Sequence, residues 1–305
     1  MEIITYPELK NKDEYMMLMR MAFGWPISLG DIDRIIKLDH WFKDSPIGFC
    51  AMENEKLTGH VGVLNIPLKT LEGKTETVGG IRAVATNPEF ANKGIAGLLM
   101  EKAHAYFKQK GYRFSFLSTR RTLIAYAGYK RLGYVEVESM NRIPTVYKIV
   151  QSKHGAKKSI KKKLDPNKIY SLFREFVKDK VGFVIRQKDF VKLCSFLKLI
   201  DKKKFVQVKK GYIFLQEKSD AMQVQEIVAL DRSTYEKLVI KAEQMSKWAV
   251  IDHYVYDPVL LEVYKSRGYK FQLRSNHVLM VKSLDGLDYR EVFGDSLYMS
   301  VLDWF

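Results

Sequence analysis

The stretch Thr86-Asn87-Pro88-Glu89-Phe90-Ala91-Asn92-Lys93-Gly94-Ile95-Ala96-Gly97 lies between a strand-like run and a long helix-like run. A small-residue turn that opens a helix lets consecutive backbone N–H groups point outward together, and the helix dipole adds to them. The result is an anion site suited to a pyrophosphate. Gly94 and Ala96 are small where a larger side chain would obstruct a phosphate, and Lys93 adds a mobile positive charge. The same residues also fit an ordinary glycine-bearing connection from strand to helix, so the loop alone does not decide. A different chemistry is offered by Lys153 to Lys163 (KHGAKKSIKKK), where six lysines stand without an acid. Such a run is either a solvated linker or a footprint for a polyanion.

These segments must be positioned by the elements around them. Tyr15, Leu18, Met19 and Ala22 share one helical face, and Ile32, Ile35 and Ile36 another, with Ser28-Leu29-Gly30-Asp31 as break and cap. Residues 1–45 therefore read as helical. Strand-like runs follow at Ile47–Met52, His60–Leu68 and Thr77–Ala85, separated by Glu53–Lys56 and Glu72–Lys74, which predicts an antiparallel meander. A helix opens near Gly94 and ends at Gly111. Phe114–Ser118 is a short buried strand, then comes a helix through Ala125 and Tyr129 to Gly133, and a strand over Tyr134–Glu138. The second half repeats part of this order: Gly128–Tyr134 (GYKRLGY) is echoed by Val263–Tyr269 (VYKSRGY). Upstream, Ile213–Gln216 pairs with Val224–Leu230, followed by a helix Ser233–Met245 and a strand Trp248–Ile251. The second copy is roughly ten residues shorter between strand and Gly-Tyr, and what is missing is the glycine-bearing loop.

A chain of 305 residues exceeds one ordinary domain and suggests two. With 47% hydrophobic and 28% charged residues it is a folded chain, which excludes dominant disorder. No apolar run approaches the roughly 18–20 residues of a membrane span, and the N-terminus has no signal pattern. Cys50 and Cys194 are far apart without metal-ligand spacing, so the expectation is a reduced, cytoplasmic setting and no metal. The 51 basic against 35 acidic residues give a charge of +16, which attracts polyanions.

Two motifs together carry a family resemblance. Pro88, Phe90, Gly94 and Ala96, followed by Leu98-Leu99, stand in register with the loop-and-helix signature of the GNAT superfamily of N-acetyltransferases. Ala125, Tyr129, Gly133 and Tyr134 match its second signature. Ala91 stands where the family usually has Gln or Arg, and Thr122 where it often has Asn. The resemblance covers residues 1–150 in element order and 169–305 weakly. It implies an α+β fold of two tandem GNAT-like domains, each a mixed, mostly antiparallel twisted sheet flanked by helices. The expected division is 1–152 for the acetyl-CoA-binding domain, 153–168 for a Lys-rich linker, and 169–305 for a degenerate copy without the pyrophosphate loop. The arrangement resembles Eis-like acetyltransferases without their third domain.

The resemblance further implies direct transfer of an acetyl group from acetyl-CoA to a primary amine on a small molecule or peptide. The pantetheine arm would pair with Val84, Ala85 and Thr86, and the pyrophosphate would rest on Ala91, Asn92, Lys93, Gly94, Ile95 and Ala96. A backbone N–H near Ala85 would polarise the thioester carbonyl. Tyr129 maps to the general acid, with Tyr126 its neighbour most easily confused with it. The base is open. The strand Gly79–Val84 carries no carboxylate, Glu76 and Glu53 require the fold to bend them inward, and His60 qualifies by its ordinary pKa. The Phe305 terminal carboxylate is expected from the Eis-like plan, on a chain end tucked in by Trp304 and Phe305. The second domain is expected to shape the acceptor pocket, with Phe23, Trp25, Trp41 and Phe42 as candidate walls. The positive charge disfavours a strongly cationic acceptor unless Asp31, Asp33, Asp39 and Asp44 line the cleft. Two other readings are a non-catalytic CoA-binding protein and a nucleic-acid-associated protein using the lysine run, the latter without zinc-finger spacing or a recognition helix.

Overall fold

The computed structural model describes residues 1–26, 28–150, 164–218, 221–246, 250–273 and 276–303. They form two compact units, Met1–Val137 with Asn276–Gly294, and Glu138–Ser275 with Asp295–Trp304. Both units are α+β, as expected.

The first unit opens with strand β1 (Glu2–Thr5), where a helical start was expected, and continues into helices α1 (Lys12–Phe23) and α2 (Leu29–Leu38). Ser28 and Asp31 form a capping box at the start of α2, with Ser28 Oγ accepting from the Asp31 N–H and the Asp31 carboxylate accepting from the Ser28 N–H. The meander β2 (Gly48–Glu53), β3 (Lys56–Lys69) and β4 (Thr75–Thr86) is antiparallel throughout. Then come α3 (Ile95–Gln109), β5 (Phe114–Arg120), α4 (Ile124–Arg131) and β6 (Val135–Glu136). The sheet order is β1-β2-β3-β4-β5-β13-β6, where β13 (His277–Ser283) comes from far along the chain and α10 (Tyr289–Phe293) follows it. One face of this sheet packs Phe49, Val61, Val63 and Leu117 against Leu99, Ala103 and Phe107 of α3. In the other cluster, Tyr15, Leu18 and Met19 of α1 and Ile32 of α2 meet Cys50, Leu57 and Ala85. Each fully buried Leu or Phe contributes about 1.5–3 kcal/mol.

The second unit holds α5 (Glu138–Asn141), β7 (Pro144–Tyr147), α6 (Pro166–Phe176), α7 (Phe190–Phe196) and β8 (Phe205–Val208). After them come β9 (Gly211–Lys218), β10 (Ala221–Ala229), α8 (Arg232–Met245), β11 (Val250–Tyr254), α9 (Pro258–Ser266) and β12 (Lys270–Leu273). Its sheet runs β12-β7-β11-β10-β9-β8. The order of elements from β8 to β12 repeats that from β2 to β6, in line with the sequence echo.

The units depart from the expected split at 152. Residues 138–150 belong to the second unit and 276–294 to the first. The physical reason lies in β13. Its Val278, Leu279, Met280 and Val281 are all buried, and it pairs antiparallel with β5 over Phe114–Arg120 and with β6 at Val135 and Glu136. A strand apolar on both faces belongs between two others, as β13 does between β5 and β6. In the same way β7 pairs with β11 and β12. Most of the expected linker lies outside the described residues, and α6 begins within it at Pro166.

A chain ended at residue 152 therefore loses β13 and leaves β5 with one edge unpaired along its length, held only by its short pairing with β4. We expect it to be insoluble or to lack a cooperative thermal transition by circular dichroism. A soluble, cooperatively melting fragment would show that the first unit does not need this strand.

Candidate active site

The site begins with two parallel strands that part. β4 and β5 pair only at Gly79↔Ser115, Gly80↔Phe116 and Ile81↔Leu117. Past that point β4 keeps its partner β3, and β5 keeps β13 at Ser118↔Leu279, Thr119↔Val278 and Arg120↔His277. Val84, Ala85 and Thr86 thus face a gap on the β5 side. The cause is a bulge. Between His60↔Ala85 and Gly62↔Arg82, β4 places Ala83 and Val84 against the single residue Val61, and Ala83 has φ +49°. An extra residue bends and twists its strand, which carries the end of β4 away from β5.

The loop that leaves this strand ends at the exposed start of α3. Asn92 (φ +62°) and Gly94 (φ +77°) are both left-handed, a conformation that favours glycine at the helix start. Gly94 is the N-cap, and no side chain caps the helix, so its first-turn N–H groups keep their donors for a ligand. A Cβ on Gly94 would meet only open space, so it is the backbone angle that calls for glycine. Lys93 Nζ lies 4.7 Å from the centre of the Phe90 ring and is exposed with Ala91 and Asn92.

Three tyrosines follow, and hydrogen bonding separates them. The Tyr126 hydroxyl donates to Glu136 Oε1 at 2.6 Å, and Arg121 holds the same carboxylate at 2.5 Å. Tyr134 is 1% exposed, its hydroxyl tied to His104 Nε2 at 2.8 Å and Ser115 Oγ at 2.6 Å. The Tyr129 hydroxyl has no hydrogen-bond partner among the described residues, and its ring stands edge-on to Tyr134 at 6.0 Å. Burial pushes the Tyr129 pKa up to about 12, so it keeps its proton at neutral pH.

On the α1–α2 side of the bulge lies a cleft of about 570 Å³, counting its solvent-open mouth. Its walls include Met19, Trp25, Ile35, Ile36 and Phe42, with His60, Arg82 and Ala83 at its base. His60 is 2% exposed; its Nδ1 lies 2.9 Å from the Ala83 carbonyl oxygen of the bulge, and Nε2 has no partner among the described residues. Because a carbonyl only accepts, the proton belongs on Nδ1 and Nε2 carries the free lone pair.

Residues 4–137 match the model of the acetyltransferase (GNAT) domain. A stretch of 58 residues is 41% identical to an uncharacterised N-acetyltransferase of Chlorobaculum tepidum, covering 19% of this chain and 35% of that protein. Among solved structures, a GCN5-related N-acetyltransferase from Kribbella flavida superposes with TM-score 0.67 at 15% identity, over 93% of this chain and 71% of that one. Eis1 from Mycobacterium abscessus gives 0.67 at 16%, over 93% and 74%, and a GCN5-related N-acetyltransferase from Anabaena variabilis 0.63 at 16%, over 93% and 73%. At these identities the likeness is one of fold.

Within the matched residues the structure thus brings Val84–Thr86 and Ala91–Ala96 to one end of β4. Phe305 lies outside the described residues. Leu302 and Asp303 just before it are buried, and Asp303 is held by Arg186, which also grips Glu226 in the second unit. Of the candidate walls, Trp25 and Phe42 line the cleft, whereas Phe23 is exposed and stacked on Trp25 at 4.8 Å. None of the four aspartates lines it. Asp31 caps α2, Asp39 is buried with Arg82 4.0 Å away, and Asp33 and Asp44 are exposed. Glu76 is paired with Arg113 at 2.9 Å. Sequence reasoning missed the bulge, because its sign is one φ at an alanine. It also missed the cleft as a whole, which joins residues from five separate elements and the loops between them.

The second unit parts its strands similarly but closes the helix start. β10 and β11 are parallel only over Ala221↔Val250 to Gln223↔Asp252. There α8 begins almost at once after β10, and Asp231 caps it by accepting from the Thr234 N–H at 2.8 Å. The Thr234 bonds and Lys210 hold the Asp231 carboxyl down at about 2. A fixed carboxylate at that helix start repels an anion where the first unit offers free amides.

Burial pushes both His60 and His104 down to about 4, so both are neutral in the fold. A pKa below the unfolded value of about 6.5 means protonation favours unfolding. The associated stability is full above about pH 6.5 and is lost as pH falls towards 4. Urea titrations should show the unfolding free energy falling by up to about 1.4 kcal/mol per pH unit for each ring in that window. His104→Phe should lower the slope by that ring's share, and a slope untouched by it would contradict this assignment.

Proposed function

We propose that the protein transfers an acetyl group from acetyl-CoA to the nitrogen of a primary amine. One observation carries the reading: β4 leaves β5 after Ile81, and the uncapped start of α3 follows at the same end. Parallel strands that part at their carboxyl ends make the usual ligand crevice of mixed sheets.

The edge Val84-Ala85-Thr86 would take the amides of a pantetheine arm as an added strand would. Backbone N–H groups over Ala91, Asn92, Lys93, Gly94, Ile95 and Ala96 would hold the pyrophosphate, with Lys93 supplying the charge that Ala91 lacks. Acetyl-CoA brings an activated thioester, whose C–S bond breaks as the C–N bond to the amine forms. An N–H on the β4 edge near Ala85 would stabilise charge on the carbonyl oxygen. Tyr129 would give its hydroxyl proton to the departing sulfur. The nitrogen sheds one proton to the surrounding water as the C–N bond forms. Tyr126 is excluded from the acid's role by its bond to Glu136. Among the described residues no helix is long and apolar enough to cross a membrane, and no cluster of three metal-ligating side chains occurs.

Calorimetric titration should show micromolar binding of acetyl-CoA, abolished by Gly94→Glu, which puts a carboxylate and a strained φ at the helix start. No binding by the unaltered chain would overturn the reading. Tyr129→Phe should leave acetyl-CoA affinity within about twofold and lower kcat on any accepted amine by about 10²–10⁴. Unchanged turnover would assign the acid elsewhere. Acetyl-CoA binding without CoA release on any amine would favour a protein that only binds the cofactor.

A further inference from the structure

The cleft between α1, α2 and the β4 bulge has a chemistry of its own. Its described walls are almost wholly apolar: Met16, Met19, Trp25, Ile32, Ile35, Ile36, Phe42 and Ile47, with the Tyr15 ring. No Asp or Glu lines it among the described residues, and its one cationic lining residue is Arg82. Asp39, the nearest carboxylate partner of Arg82, is itself buried and does not reach the lining. An ammonium ion placed here would lose its water, gain no counter-charge and meet a guanidinium.

One polar group at the base lacks a partner among the described residues. The His60 ring lies over the paired residues Gly48 and Gly62, where a Cβ on Gly48 would collide with Nε2 and one on Gly62 would crowd Cε1. Its Nδ1–H is committed to the Ala83 carbonyl, and Tyr15 packs edge-on at 4.8 Å. These contacts fix the ring and its tautomer while leaving the Nε2 lone pair unmet. A buried acceptor without a donor is costly, and a ligand that brings an N–H removes the cost. The same His60 contact reaches the bulge, and Arg82 and Ala83 of the bulge line the cleft. A ligand held at His60 is therefore beside the strand on which acetyl transfer was proposed.

We propose that the acceptor is a small apolar primary amine, aromatic or branched aliphatic, whose ring or alkyl body fills this cleft and whose neutral nitrogen donates an N–H to His60 Nε2. The inference rests on the acetyl-transfer reading and narrows it to a substrate class. His60 is a positioning residue here: it holds the nitrogen with its lone pair free for attack. The cleft's lack of acids accounts for selection against diamines and amino sugars, which need carboxylates to replace their hydration.

The test uses the full chain with acetyl-CoA and a thiol-release assay on phenethylamine, aniline and isoamylamine against putrescine, lysine and glucosamine. We expect kcat/KM for the apolar set to exceed that for the polar set by about tenfold or more, the range that burial of a few methylenes supports. His60→Phe should raise the KM for phenethylamine about tenfold with the KM for acetyl-CoA within twofold, and His60→Gln, which restores an acceptor, should recover part of it. Ile36→Asp, on the cleft wall, should shift preference toward putrescine, and it keeps the test decisive if His60→Phe fails to fold. Equal or better turnover of the polar amines, or an Ile36→Asp chain with unchanged preference, overturns the inference. Failure of acetyl-CoA to bind at all is a separate result that overturns the acetyl-transfer reading beneath it.

Discussion

The parting of β4 from β5 is the constraint on which the first unit's chemistry depends. Two parallel strands that stayed paired to their ends would spend on each other the backbone donors and acceptors that face across the gap. The bulge at Ala83 and Val84 turns the strand so that Val84–Thr86 keep β3 but lose β5. The helix that follows then starts at the mouth of the gap with its own donors uncapped. The bulge also fixes His60, since the carbonyl displaced at Ala83 is the one its Nδ1–H engages. One inserted residue thus links the edge proposed for the cofactor to the cleft proposed for the acceptor.

Electrostatics divide the molecule into two regimes. The chain carries +16 overall, yet the cleft beside the bulge is nearly uncharged, and its histidine is held neutral by burial. Long-range charge of this kind steers anions such as a nucleotide cosubstrate, and salt weakens it. Inside the cleft the low dielectric sets the terms, and an unpaired nitrogen counts for more than many surface lysines.

The second unit repeats the plan with the binding features altered. Asp231 sits as a fixed anion at the start of α8, and the rings of Phe183, Tyr256 and Tyr298 cluster at 4.4–5.2 Å near the end of β10. Arg186 lies between the Phe173 and Phe190 rings and grips both Glu226 and Asp303. Removing that guanidinium would strand two buried carboxylates, so the group holds the late segment of the chain in place.

Local chemistry was legible in the residues themselves. The capping box at Ser28 and Asp31, the hairpin at Asn54 and Glu55, the glycine-bearing loop before α3 and the Gly-Tyr motifs all follow from short-range preferences, and the structure has each where its residues stand. The family resemblance came from those same short motifs. Tertiary structure alone decided the rest, because it depends on which distant segments meet. β13 was not read in the sequence at all, and its pairing with β5 and β6 assigns it to the first unit. The short motif singled out Tyr129 by its place, and only the fold shows that Glu136 takes the neighbouring Tyr126. His60 is an unremarkable strand histidine until Gly48, Gly62 and the Ala83 carbonyl surround it and leave a single lone pair without a partner.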